Sequence, residues 1–119
     1  MRKVYFLTTC STSKRIIADL GLKEKGFVFQ DIKTTPVTAA QLAAMYALAG
    51  SYEALFSKIA RKYKALGLKD KKLTEDDFRD YILREYTFLK RPVVIIDQQI
   101  FVGSSKKNVA RLAEAVKDF

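Results

Sequence analysis

Residues 93–96 read Val-Val-Ile-Ile, four β-branched side chains in succession between Pro92 and Asp97. Branching at Cβ stiffens χ1 and lowers helix propensity. An unbroken apolar run of this length reads as a central strand buried on both faces. Such a strand needs neighbours on both edges, and the rest of the chain offers them. Asp97-Gln98 makes a tight turn, and Ile100-Phe101-Val102-Gly103 returns as an antiparallel hairpin partner. "KVYFLT" (3–8) and "FVFQDI" (27–32) are rich in β-branched and aromatic residues and read as two further strands.

The remaining segments carry helical signals. From Ser11 onward Ile16, Ile17 and Leu20 recur at helical spacing, and Gly21 offers a stop. Thr34-Thr35-Pro36 ends the second strand, since proline restricts itself and its predecessor to extended geometry. Thr38 and Gln41 form a capping box ahead of Leu42–Ala49, which Gly50 closes. Ser51 is placed to cap a further helical stretch to Gly67, in two short pieces. Thr74 is followed by Glu75, Asp76 and Asp77, acidic side chains favoured at a helix N-terminus. That helix should end near Arg84, with Phe78, Tyr81 and Ile82 on its inner face. Val109, Leu112, Ala113 and Val116 mark a last amphipathic helix.

Strand–helix–strand at the front implies a right-handed parallel crossover, and strand–strand–helix at the end a hairpin. The expected fold is α/β: a four-stranded mixed sheet flanked by helices, with an all-helical insert between the βαβ and ββα halves. That is the thioredoxin-like plan with an insertion. No linker or repeat interrupts it, so residues 1–119 are expected to form one domain, with the insert at about 38–86.

Composition narrows the function classes. Lys and Arg number 22 against 13 acidic residues, a net charge of +9 that favours anionic partners. The cations are spread out and do not alternate with aromatics, so direct nucleic-acid binding is not expected. No apolar stretch approaches the roughly 20 residues that cross a bilayer, so no membrane partner is expected. The N-terminal apolar segment is too short for a signal peptide. Cys10 is the only cysteine, which excludes an internal disulfide and points to a reducing, cytoplasmic setting.

Cys10 falls where the first strand ends and the first helix begins. A lone cysteine is commonly a small buried filler, but Thr8, Thr9, Ser11, Thr12 and Ser13 leave no apolar pocket around this one. Unpaired N–H groups and the positive dipole end at a helix start favour thiolate. Lys14 and Arg15 add cationic charge, and the N–H groups of residues 11–14 can hold an oxyanion beside the sulfur. One of Ser11, Thr12 and Ser13 is expected to serve as N-cap, which would also shape the anion site. The chain has no histidine, so neither a Cys–His relay nor a zinc ligand set is available, and no metal is expected. It also lacks a Gly-rich phosphate loop. Cys10 is thus the catalytic candidate, with Ser11, Thr12, Ser13 and Lys14 as anion-binding or thiolate-stabilising candidates.

"CSTSKR" after the first strand, "TTPVTAAQL" opening the insert, "EALF…YKALGL" within it and "FLKRPVVII…IFVGSSKKNVARL" at the end resemble the arsenate reductase (ArsC)/Spx family. The resemblance covers nearly the whole chain in the right order. It implies the thioredoxin-like fold with a helical insert and a nucleophilic Cys10 acting on arsenate, another oxyanion or a thiol substrate. The implied reductant is external, glutathione or a glutaredoxin-like protein, with no bound cofactor. Arg91 takes the position of the family's anion-binding or thiolate-stabilising arginine, and Pro92 that of its structural cis-proline. Two further arginines of the family's reductases are replaced, by Ser57 and Gly103; Lys58, Arg61, Lys106 and Lys107 are cations nearby in sequence. "VGSSKK" is closer to the Spx-like and uncharacterised branches. The Spx branch includes regulators that bind the RNA polymerase α subunit and sense oxidation through CxxC, but here Ser13 makes the motif CxxS. The alternative expectation is therefore a non-enzymatic regulator that docks on another protein such as that subunit.

Overall fold

A computed structural model describes all 119 residues. In chain order the elements are β1 (Arg2–Phe6), α1 (Ser11–Asp19), β2 (Val28–Asp31), α2 (Ala39–Ala49), α3 (Arg61–Ala65), α4 (Glu75–Arg84), β3 (Val93–Ile96), β4 (Gln99–Val102) and α5 (Lys106–Val116). Short 3-10 turns intervene at Leu22–Glu24, Glu53–Leu55, Leu68–Asp70 and Tyr86–Phe88. The chain forms two compact units: Met1–Thr35 with Arg91–Phe119, and Pro36–Lys90. No helix is long and apolar enough to cross a membrane.

The first unit carries the sheet, in the order β2-β1-β3-β4. β1 and β2 are parallel, whereas β1–β3 and β3–β4 are antiparallel. All four residues of β3 are buried, as the unbroken apolar run requires. Val4, Val94 and Phe101 lie in register across three strands. With Ile16 and Ile17 of α1 and Leu112 and Val116 of α5 they form one core cluster. The hairpin turns at Asp97, which takes φ +51 and donates its N–H to the Met1 carbonyl at 2.8 Å. α5 differs from its apolar periodicity in one respect. Asn108 is buried alongside Leu112 and Val116, while Val109 and Ala113 are only half-buried. The Asn108 side chain earns that place by donating Nδ2–H to the Gly103 carbonyl at 2.9 Å. This mixed sheet flanked by helices is the expected thioredoxin-like arrangement.

The second unit is helical apart from one bridge. α2 begins at the expected capping box: Thr38 Oγ1 accepts from Gln41 N–H at 3.0 Å, and Gln41 Oε1 accepts from Thr38 N–H at 3.1 Å. α4 begins at a second one, Thr74 with Asp77, and ends at Arg84; Phe78 and Ile82 are buried and Tyr81 half-buried. The stretch from 52 to 67 holds the expected two short helical pieces, the 3-10 turn Glu53–Leu55 and α3. The Ser51 hydroxyl accepts from Ala54 N–H at 3.2 Å, and the segment between the two pieces is extended. Only Arg61–Ala65 is α-helical there; Phe56 is extended and forms an isolated bridge with Leu89. Tertiary hydrogen bonds override local propensity. The Glu75 carboxylate accepts the N–H groups of Tyr52 (2.6 Å) and Glu53 (3.2 Å) and fixes the turn. Ser57 N–H then donates to Phe88 O (2.7 Å) and Lys90 N–H to Leu55 O (2.9 Å), which holds the chain extended.

Candidate active site

The site begins where β1 stops. Cys10 N–H donates to the Leu7 carbonyl at 2.9 Å, closing a turn over Thr8 and Thr9. Cys10 itself is the N-cap of α1, with φ −95° and ψ 104°, and its side chain makes no capping hydrogen bond. None of the three hydroxyl residues therefore caps the helix. They occupy its first three positions instead, because the turn delivers the chain into the helix one residue earlier. The Cys10 thiol is left partly exposed at the helix start.

Lys14 N–H donates to the Cys10 carbonyl at 3.1 Å, the first bond of the helix. The N–H groups without a partner in the helix are accordingly those of Ser11, Thr12 and Ser13, and that of Ser13 is engaged by the Cys10 sulfur. The side chains of Ser11, Lys14 and Arg15 are exposed, and that of Thr12 is half-buried. Ser13 differs from its neighbours in being wholly buried, at 0% exposure. Its hydroxyl has no partner at full hydrogen-bond geometry, so its donation to the adjacent sulfur is a weakly aligned one.

Arg91 arrives from the far end of the chain through strand pairing. β1 and β3 are antiparallel with Tyr5 opposite Val93, so the end of β1 lies beside the start of β3. The Arg91–Pro92 peptide bond is cis. Burial pushes the Cys10 thiol up, and hydrogen bonds from the Ser13 hydroxyl and backbone N–H pull it down. A hydrogen bond from Arg91 and its charge act in the same direction, and the net pKa is below the ordinary thiol value. Lys14 and Arg15 are not among the groups that act on the sulfur; a solvated ammonium at the helix surface is screened.

Two residues that carry no motif also belong to this corner. Asp31 ends β2 directly opposite Phe6 of β1. Its carboxylate accepts a short hydrogen bond from the Thr8 hydroxyl and another from Lys33 N–H at 3.0 Å. A polar residue closing an apolar strand is the only trace of this in the sequence, and strand ends are commonly polar.

The two positions where the resemblance implies arginine in the family's reductases lie in different settings. Ser57, in the second unit, is buried, and its N–H is spent on Phe88 O. Gly103, in the first unit, has φ +88°, donates its N–H to Pro92 O at 2.9 Å and accepts from Asn108. Any side chain there is strained. Gly103→Arg is expected to cost about 1–3 kcal/mol of stability, read as a lowered midpoint in denaturant; an unchanged midpoint would show that this backbone accommodates arginine.

Three comparisons bear on these residues. The ArsC family model matches residues 5–112. Among solved structures, an arsenate reductase from Vibrio cholerae superposes with a TM-score of 0.75 at 22% identity, covering 98% of this chain and 95% of its own. A possible arsenate reductase from Streptococcus mutans gives 0.72 at 27% identity, covering 89% and 92%. An arsenate reductase (ArsC) related protein from Brucella melitensis gives 0.71 at 21% identity, covering 99% and 95%. No curated protein gives a significant match.

Proposed function

The chain belongs to the ArsC family, and from that membership we propose that it is a thiol-dependent reductase of arsenate or a closely similar oxyanion, with Cys10 as nucleophile. The observation that carries this reading is the thiol itself: a partly exposed cysteine at a helix start, held below its ordinary pKa by Ser13 and Arg91. A thiolate with unpaired helix N–H groups beside it suits attack on a tetrahedral oxyanion.

Reducing As(V) to As(III) takes two electrons, and two thiols supply them. The Cys10 thiolate displaces one arsenate oxygen, which leaves as water after protonation, and an As–S bond forms. A second thiol attacks the Cys10 sulfur; the As–S electron pair returns to arsenic, arsenite departs, and a mixed disulfide remains on Cys10. A further thiol releases Cys10 by exchange. The chain holds one cysteine, so the second and third thiols come from outside, as glutathione or a glutaredoxin-like protein. That chemistry suits a reducing cytoplasm. The spare N–H groups of Ser11 and Thr12 receive the oxyanion. The Arg91 guanidinium neutralises it or the thiolate, whichever is charged at that step. The whole chain, 1–119, acts as the one functional unit.

Alkylation of Cys10 by iodoacetamide across pH 5 to 10 tests the thiol. A half-maximal rate below the free value of about 8.5 is expected; a midpoint at or above it would sink the enzyme reading. Arsenate turnover with glutathione and glutaredoxin then tests the substrate. A low thiol pKa without turnover would remove arsenate and leave the nucleophile in place.

A further inference from the structure

The turn that carries Cys10 is anchored by a carboxylate on the neighbouring strand. Asp31 sits at the end of β2, in register with Phe6. One carboxylate oxygen receives the Thr8 hydroxyl across the strand gap, and the other receives Lys33 N–H in its own loop. The Asp31 carbonyl is engaged as well, by Thr35 N–H at 2.9 Å. One residue thereby ties the exit of β2 to the exit of β1. Thr8 is the second residue of the turn whose closing bond is Cys10 N–H to Leu7 O. The path from Asp31 to the sulfur is therefore short: carboxylate, Thr8 hydroxyl, turn backbone, Cys10 at the helix cap.

We propose that Asp31 is a positioning residue for Cys10, acting through Thr8 to hold the Leu7–Cys10 turn in the one geometry that points the thiol at Ser13 and Arg91. This deepens the reading of Cys10 as nucleophile and rests on it. One observation supports it independently of the sulfur. The hydrogen bond from Thr8 and the one from Lys33 N–H, with the charge of Lys33, hold the Asp31 carboxyl below its ordinary pKa, so Asp31 is an anion at neutral pH and a strong acceptor. The path from Asp31 to the sulfur runs through the Thr8 hydroxyl and the turn backbone, so the influence proposed for Asp31 on Cys10 is exerted through geometry.

That distinction fixes the sign of the test. A carboxylate acting on a thiol by charge raises its pKa, and removing the charge lowers it. A carboxylate that aims the thiol at its donors does the opposite when lost. The thiol pKa is measured by the pH dependence of iodoacetamide alkylation in the wild type, Asp31→Ala, Thr8→Val, the double variant and Thr8→Ser, with circular dichroism to establish that each is folded. Asp31→Ala and Thr8→Val are expected to raise the midpoint by roughly half a unit to one unit. The double variant should go no further than the singles, since both break one link. Thr8→Ser, which keeps the hydroxyl, should match the wild type. Turnover in either single variant should fall on the order of 10-fold through kcat.

An unchanged or lowered midpoint in folded Asp31→Ala or Thr8→Val overturns the proposal. Should Asp31→Ala not fold, Thr8→Val decides alone, because it leaves the Lys33 bond intact. A wild-type midpoint that is not depressed sinks the nucleophile reading itself, a result separate from any variant.

Discussion

Cys10→Ser is expected to abolish arsenate turnover while leaving the fold intact. Serine is smaller by little, and the Cys10 side chain makes no capping hydrogen bond whose loss would unravel α1. The hydroxyl would sit at the same helix start beside Ser13 and Arg91, but its proton is held far more tightly than a thiol's. Those donors cannot make it an anion near neutral pH. Even ionised, an oxygen bound to arsenic cannot be attacked by a thiol to give a disulfide, so the two-electron step has no route. No second cysteine exists to take over. The loss should be on the order of 10³-fold or more in kcat, as for removal of other enzyme nucleophiles. Glutathione-dependent arsenite formation by the purified variant, with circular dichroism beside it, is the measurement. Retained activity would move the chemistry off Cys10. A variant that is inactive but complements a deletion strain in the cell would instead favour the protein-docking role, for which the thiol is dispensable.

The contrast between Cys10 and Arg91 shows which parts of such a site a sequence exposes. Cys10 was legible because everything that activates it locally is local: a strand that ends, a turn, and a helix start within ten residues. Ser13 lay in the same short stretch, although its burial, which separates it from Ser11, depends on the helix packing against the sheet. Arg91 was legible only through family resemblance. Its place beside the thiol follows from the antiparallel register of β1 and β3, and register is a property of two strands together. Asp31 was invisible for the same reason, with the parallel register of β1 and β2 as the hidden term.

The fold divides along a similar line. The Val93–Ile96 run, the hairpin, the Thr38–Gln41 capping box and the Thr74 start of α4 with its acidic first turn are local signals, and they hold in the structure. The stretch from 52 to 67 keeps its two short helical pieces, but an extended segment at Phe56 separates them. Its helix formers met a carboxylate from α4 and an extended partner at Leu89, and two backbone bonds to that partner segment were worth more than the residues' modest helical preference.

Phe56, at the centre of that extended piece, should be the costliest single truncation in the second unit. It is 1% exposed. Its ring stacks on Phe88 at 5.0 Å, tilts against Phe78 at 4.9 Å and meets Tyr63 edge-on at 5.8 Å. Phe88 extends the group to Tyr81 at 5.7 Å. Alanine would remove a ring that touches three others and leave a cavity that three rigid aromatic planes cannot close by small rotations. The expected loss is about 3–5 kcal/mol, against a total stability of roughly 5–15 kcal/mol for a domain. Aromatic pairing adds about 0.5–1.5 kcal/mol per contact beyond area burial, which argues for the upper end. Phe56→Leu keeps most of the volume and the extended backbone, so it should lose much less, roughly 1–2 kcal/mol. Denaturant titration of the two variants separates the contributions. If Phe56→Ala lost under 1 kcal/mol, the cluster would have to repack around the void, and the rigidity assigned to its rings would be wrong. A Phe56→Leu loss as large as that of alanine would place the energy in ring–ring geometry, with volume filling the lesser part.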